Sequence, residues 1–327
     1  MAGILIADRL QRAGKQVVVL EAGRIAGGQT RNTTAKITSQ HGLFYRRLIQ
    51  DTGEENARRY AMANEAAIRE YRERVRSESI DCDWQEENAY LYGGSASLLE
   101  EEAEAARQLG LPARYLPGFP LPFFPGGVVE FSGQAQFHPL KFIRAVAESL
   151  IIYEHTTVQT VEEHSIQTNR GQVEAEQIVF ACHFPFLNFP GMYFARMHQE
   201  RSYVLALAQA DFPKGMFLGA GEPSYSIRHY GDILLFGGEG HRTGENARGG
   251  RYQALRQKAQ EIFPGSREVG CWSAQDCMPI DRIPYIGAYS PGKPDWYVAT
   301  GFQKWGMTSA MVSAMLLSDL ICGNGNP

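Results

Sequence analysis

Apolar positions along the chain fall into two periods, three-to-four and two, and their alternation predicts a mixed α/β fold. In residues 1–14, Ile4, Leu5, Ala7, Leu10 and Ala13 recur at helical spacing and Gly14 is a stop signal. Residues 17–20 form a continuous apolar run suited to a strand buried on both faces. Residues 54–77 set one apolar stripe, Ala57, Tyr60, Ala61, Ile68, Tyr71 and Val75, against a charged remainder, which predicts a long amphipathic helix with a solvated face. Strand and turn are predicted over 84–93, a helix over 97–109 ended by Gly110, and another over 139–150 opened by Pro139. Strand signals return over 151–181, with Arg170-Gly171 as a turn. An antiparallel sheet is then predicted from 203–209, 224–228 and 233–237, with Gly231-Asp232 at a turn, and further strands over 271–275 and 296–300. Between these lies 112–127, where five prolines stand among aromatics; neither helix nor central strand is available, and Phe119, Phe123 and Phe124 either line an entrance or pack on the core. The apolar segment 307–321 is interrupted by Thr308, Ser309, Ser313, Ser318 and Asp319, which predicts a buried helix and no membrane span.

Composition narrows the class. With 32 basic and 36 acidic side chains in 327 residues, nothing favours nucleic acid or an anionic membrane as partner. Length allows two domains. The five cysteines, Cys82, Cys182, Cys271, Cys277 and Cys322, are odd in number and scattered, the pattern of reduced thiols in a cytoplasmic protein. Cys182 and His183 adjoin on a strand and point to opposite faces, a poor chelate, so no metal site is expected.

The chemistry begins at Glu21, which closes the apolar run at 17–20. In a dinucleotide-binding βαβ unit the second parallel strand ends in a carboxylate that accepts from ribose hydroxyls, about 20 residues after a glycine-rich turn. Gly3 then takes the role of the third glycine of G-x-G-x-x-G, the one that lets a helix pack closely on a sheet. The expectation is a chain truncated at its amino terminus, with the first strand and first two glycines upstream of Met1. Residues 24–41, rich in Gly, Thr, Asn and Gln, are either a surface loop or polar backbone that wraps a cofactor.

Several runs together resemble one family. Met-Ala-Gly at the head of the first helix, VVVLEAG (17–23), Gly27-Gly28, TTAKITSQHG (33–42), DRIPYIG (281–287) and GFQKWGMTSA (301–310) are similar to FAD-dependent amine and amino-acid oxidoreductases of the D-amino-acid-oxidase type. The resemblance spans nearly the whole chain and is strongest to members fused to a carboxy-terminal Rieske iron-sulfur domain, a part this sequence is expected to lack. It implies a Rossmann-like FAD-binding domain from 1–80, 134–192 and 271–327, and an antiparallel-sheet α+β substrate domain from 81–133 and 193–270.

The resemblance also implies contacts. Gly28, Thr33, Thr34 and Lys36 lie on the segment that in the family passes the pyrophosphate and reaches the flavin ring; Lys36 is either there, stabilising the reduced ring, or an ordinary exposed lysine. Val158 falls beside the adenine, and the strand ending at Ala181 runs under the adenosine half. Asp281 and Gly287 mark a turn before a second flavin-binding segment, where Gly301, Gly306, Met307 and Thr308 are the candidate contacts. A helix starting at Gly306 or Met307 aims unpaired N–H groups at what lies before it, which suits the electron-rich pyrimidine edge of a reduced flavin. Cys271 and Cys277 are near where some members attach flavin, but inert cysteine and noncovalent FAD are the expectation.

For substrate contacts, Tyr225, Arg228 and Tyr230 on one strand either roof the flavin or form a polar outer face. His241 is a loop histidine, solvated or an acid-base group. Counting back from PYIG, Asp276 stands where amino-acid-oxidising members place a carboxylate-gripping arginine. That exchange tilts the expected substrate from an amino acid towards an amine, with Arg228 and Arg282 as rival carboxylate clamps and a turn-capping Asp276 as the plainer reading. The expected function is oxidation of a C–N bond of an amine or amino acid by hydride transfer to flavin N5, with oxygen or an electron carrier as acceptor. Two other readings stand: a noncatalytic fragment unable to hold FAD, and a nicotinamide-dependent oxidoreductase.

Overall fold

The computed structural model describes residues 1–124, 126–245 and 249–326; Pro125 of the proline-rich loop lies outside them. Helix α1 (Ala2–Arg12) leads to strand β1 (Val18–Leu20). After the helical turn α2 (Gln29–Asn32) and strand β2 (Lys36–Ile37) come α3 (Tyr45–Thr52) and α4 (Glu54–Ser77), the latter with the bounds its apolar stripe predicts. Strand β3 (Gln85–Tyr92) and helix α5 (Ala96–Gln108), capped by Ser95 accepting from Leu98 N at 3.3 Å, follow. The proline-rich stretch then forms a short strand, β4 (Ala113–Leu116), before β5 (Val128–Gln136) and α6 (Pro139–Ala147). Pairing with β5 alone leaves β4 at a sheet margin, the one place its flanking prolines allow. Phe119, Phe123 and Phe124 pack against the core of the large sheet.

Strands β6 (Ile151–Tyr153), β7 (Val158–Glu162), β8 (Ser165–Thr168), β9 (Gly171–Glu174) and β10 (Ile178–His183) follow in close succession. The second half holds β11 (Met197–Ala208), β12 (Met216–Gly219), β13 (Ser226–Tyr230) and β14 (Ile233–Arg242), then α7 (Arg251–Ile262) and β15 (Arg267–Pro279). It closes with β16 (Tyr285–Ser290), β17 (Lys293–Thr300) and α8 (Gly306–Cys322).

Nine of these strands form one sheet in the order β15-β11-β14-β13-β12-β3-β5-β2, with β4 on β5. All of its pairs are antiparallel except β12 with β3. The remaining strands make a meander, β7-β8-β9, and two small pieces: β1 parallel to β6, and β10 parallel to β17, which also pairs with β16. The expected division at 270/271 falls inside β15, whose pairing with β11 runs on to Pro279, and that at 133/134 falls inside β5, onto which β2 also pairs.

Helix α1 packs on β1 and β10 and against α6 and α8. A buried ion pair fixes it to α4, Arg74 Nη1 lying 2.7 Å from Asp8 Oδ2, and Tyr71 on α4 donates to Met307 O on α8 at 2.9 Å. Leu5, Ile37, Ile68, Phe142, Ala310 and Leu317 are core residues of this half. One expectation changes. Val18 is 36% exposed and β1 is nowhere fully buried, because β1 has a partner on one edge alone among the described residues.

Candidate functional site

A cavity of about 1920 Å³ runs from β1 and α1, past the 24–36 loop, to the face of the large sheet and the start of α8. At one end stands Glu21. Its backbone is pinned to the strand beside it, N donating to Tyr153 O at 3.0 Å and O accepting from Thr156 N at 2.9 Å. Its Oε1 accepts from Gly23 N at 2.8 Å, which leaves Oε2 without a partner among the described residues and the carboxylate in the cavity wall. Val158 and Ala181 line the same end. A Cβ on Gly3 would sit 3.4 Å from the Ala181 Cβ, an ordinary contact, so the packing of α1 on β10 does not by itself require glycine there.

The 24–36 loop is held from the large sheet by long polar side chains. Trp272 Nε1 donates to Asn32 O at 2.9 Å, Gln29 Nε2 to Gln275 O, and Arg228 Nε to Thr34 O. Gly28, Thr33, Thr34 and Lys36 line the cavity. Lys36 is not a surface side chain: its Nζ donates to Phe217 O at 2.8 Å and Ser226 Oγ at 2.7 Å. Burial, and secondarily the Arg228 charge, lower its pKa to about 7. Arg228 is buried behind the loop, and burial lowers its pKa to about 10. This places two basic side chains, with no acid bonded to either among the described residues, under the part of the loop that enters β2.

At the other end, Gly306 and Met307 bring the first turn of α8 into the wall. The first N–H groups of a helix have no partner inside it, so this turn presents donors and the positive end of the helix dipole. Thr308 is buried and bonds Thr38 O at 3.3 Å, tying α8 to the 33–42 run. His41 of that run stacks on Trp305 with ring centroids 4.6 Å apart. Gly301 lies beneath, with φ +72°, where a Cβ would meet Pro279 Cγ at 2.6 Å. Asp281 is exposed and accepts from Ile283 N at 3.1 Å, and Gly287 is paired in β16 opposite Val298. Asp281 thus lies in the turn before β16, whereas Gly287, expected in that turn, is inside the strand, and Gly301, Asp281 and Gly287 all lie outside the cavity wall.

Of the four substrate-contact candidates, Asp276 alone lines the cavity. Tyr225 is buried, stacked on Phe236 at 5.1 Å, and Tyr230 donates to Asp83 Oδ2 at 2.8 Å on the outer surface. Arg228 holds the loop. Tyr225 precedes β13 and differs in parity from Arg228 and Tyr230, so it cannot share with them the face that the strand reading gave all three. Ser224 and Ser226 face the cavity from this region instead.

Asp276 on β15 stands opposite Glu200 on β11, and Lys304 Nζ lies 3.7 Å from Asp276 Oδ2 and 3.3 Å from Glu200 Oε2. Burial raises the Asp276 pKa to about 6, with Lys304 opposing the rise and Glu200 adding to it. Two carboxylates thus share one lysine in the wall. Glu200 carries no sequence signal, since only the β11–β15 register brings it to Asp276; Lys304, inside the GFQKWGM run, was in plain view. His241 also lines the cavity, its Nε2 3.1 Å from Tyr203 Oη.

Residues 1–320 match the DAO family, FAD dependent oxidoreductase. A protein of Bacillus subtilis (strain 168) named as a Rieske 2Fe-2S iron-sulfur protein, YhfW, is 36% identical over 100% of this chain and 68% of its own length. Among solved structures, glycine oxidase from Geobacillus kaustophilus superposes with TM-score 0.77 at 19% identity, covering 99% of this chain and 93% of that one. The L-proline dehydrogenase of P. horikoshii superposes with TM-score 0.81 at 15% identity, covering 99% and 92%. Among the described residues, no helix is long and apolar enough to cross a membrane and no cluster of metal-ligating side chains occurs.

Proposed function

Because the chain belongs to the DAO family of FAD-dependent oxidoreductases, we propose that it oxidises a C–N bond of a small amine, with oxygen or an electron carrier taking the electrons onward. FAD, when bound, supplies the acceptor for a hydride from the carbon next to nitrogen. The residues fit that cofactor. Glu21 offers a free carboxylate oxygen at one end of the cavity for a ribose hydroxyl, and the first turn of α8 with Lys36 offers donors and positive charge at the other. Both stabilise negative charge that builds up on a reduced ring. The 24–36 loop, held by Trp272, Gln29 and Arg228, keeps Thr33, Thr34 and Lys36 against the cavity.

The single observation that carries the substrate class is the carboxylate pair, Asp276 and Glu200, bridged by Lys304 in the wall. A carboxylate substrate would meet two negative charges there and one positive. A cationic amine meets a net attraction. Asp276 Oδ2, with its pKa near 6, can also take a proton from the arriving ammonium, leaving the neutral amine that hydride loss requires.

A panel of primary and secondary amines and of amino acids, added anaerobically to the FAD-loaded chain, tests this by bleaching of the flavin absorption. Amines are expected to bleach it, and Asp276→Asn is expected to raise the amine concentration needed by about ten-fold, one lost charge contact of ~1.4 kcal/mol. Bleaching by amino acids alone, indifferent to D276N, would reverse the assignment. A second reading has its own support: β1 and β10 belong to separate sheet pieces, and a fold divided there can fail to retain FAD. A colourless chain after gel filtration with added FAD would favour that reading.

A further inference from the structure

His41 is buried behind the cavity wall, and both of its ring nitrogens are bonded. Nε2 lies 3.1 Å from Thr38 O; a carbonyl only accepts, so Nε2 carries the hydrogen. Nδ1, 2.9 Å from Tyr60 Oη, therefore accepts from that hydroxyl. Burial, opposed by the Thr38 bond, lowers the pKa to about 3, so the ring carries no charge near neutrality. An imidazole fixed in place, tautomer and charge is suited to support a neighbour and not to exchange protons. The neighbour is Trp305. The two rings stack with centroids 4.6 Å apart and 17° between their planes. Trp305 lines the cavity and is the N-cap residue of α8, a position where Ser, Thr, Asp or Asn ordinarily bonds one of the first helix N–H groups with its side chain. Trp305 makes no such bond, and the N–H groups of Gly306, Met307 and Thr308 have no acceptor among the described residues. The helix start is held from the side instead: Thr38 O, which takes the His41 hydrogen, also accepts from Thr308 Oγ1 at 3.3 Å. Lys304, one residue before the indole, is the cation that reaches Asp276 and Glu200.

We propose that His41 is a positioning residue: stacked on Trp305, it fixes the start of α8 in place of a capping side chain and so leaves the first N–H groups of the helix free for the flavin. A serine or aspartate at the N-cap would fix the same turn but occupy one of those donors. Stacking fixes it and occupies none. Without the imidazole behind it, Trp305 is free to move, and residues 304–307 shift with it, carrying the α8 donors and the Lys304 bridge out of register with the cavity. The inference requires FAD in the cavity and no particular substrate, so it stands apart from the amine reading.

The test is a double-mutant cycle on the FAD-loaded chain, His41→Ala and Trp305→Ala alone and together, read as the flavin midpoint potential and as the urea midpoint of unfolding. Each single variant is expected to lose about ten-fold of its preference for reduced over oxidised flavin, which lowers the potential by ~30 mV for a two-electron couple. The double variant is expected to lose no more than either, because His41 acts through Trp305. Stability behaves otherwise: His41→Ala leaves Tyr60 Oη without its acceptor in either background, so the urea midpoint falls again in the double variant. His41→Phe, which restores the stack without the bonds, is expected to recover the potential. An unchanged potential in His41→Ala, or shifts that add in the double variant, would overturn the proposal. A second measurement needs no flavin. In the unloaded chain labelled with 5-fluorotryptophan, the fluorine resonance of Trp305, identified by its loss in Trp305→Ala, is expected to move or broaden in His41→Ala and to stay a single narrow line in His41→Phe. A chain that holds no FAD would remove the flavin reading and leave this second measurement to decide, and a Trp305 resonance unmoved in His41→Ala would overturn the proposal by itself.

Discussion

Lys36 shows how a single side chain joins fold and chemistry. It is an amine drawn under the sheet, bonded to a carbonyl and a hydroxyl, with a guanidinium as its nearest charge. Its folded pKa of about 7 lies below the ordinary 10.5, so the unfolded chain holds the proton more tightly. Stability therefore falls as pH drops from about 10 to about 7 and levels off below, the reverse of a lysine that gains an acid partner. Lys36→Met removes this dependence: relative to the parent, the variant is expected to be favoured by about 2–3 kcal/mol more at pH 6 than at pH 9, measured by urea unfolding at the two pH values. An ordinary, solvated lysine would give the same difference at both. The TTAK run pointed to this residue, while the role of Arg228 was out of reach of the sequence. A strand's parity says which side chains share a face, but the loop that Arg228 holds lies 194 residues away in the chain.

Among the elements, those with a strong local period were legible to within a few residues, and those set by distant partners were not. Helix α4 has the predicted bounds because its stripe repeats over 24 residues. Helix α3 gave no such signal, and its start depends on a carboxylate from another helix: Glu102 on α5 accepts from Phe44 N at 2.9 Å, Tyr45 N at 2.7 Å and Arg46 N at 3.2 Å. These are the donors a helix cannot satisfy itself. Glu102→Ala leaves them buried and unpaired, and a loss of about 3 kcal/mol in denaturant unfolding is expected, with Glu102→Gln retaining part of it. Gly301 plays a comparable part for the turn into α8. Its φ of +72° and the Pro279 ring 2.6 Å from any Cβ exclude a side chain, so Gly301→Ala is expected to cost about 1–3 kcal/mol and to weaken flavin retention by displacing residues 302–306, as gel filtration with FAD would reveal. The reading of 112–127 as neither helix nor central strand did not name β4, since prolines exclude the interior of a sheet and leave its margin open.

For the whole molecule, α/β alternation was readable, while the continuity of β5 and β15 across the expected boundaries at 133/134 and 270/271 depends on pairing with distant strands that no local pattern announces. The cavity takes its walls from α1, β1, the 24–36 loop, the large sheet and α8 together. A ligand bound there stabilises the folded state by mass action, about 2.7 kcal/mol at a hundred times its dissociation constant. Added FAD is accordingly expected to raise the melting temperature by several degrees in scanning calorimetry, and Trp272→Phe, which frees the loop at Asn32 O, to reduce that rise. The packing of α1 on α8 reaches further still, Arg9 Nε donating to Ser318 Oγ at 3.2 Å across 309 residues. Translation at 5–20 residues per second separates the two by about 15–60 s. Through that interval α1 leaves the ribosome without α8, the helix it packs on, so the nascent chain carries an uncovered apolar helix face until α8 is made, and its yield in the cell depends on what shields that face meanwhile.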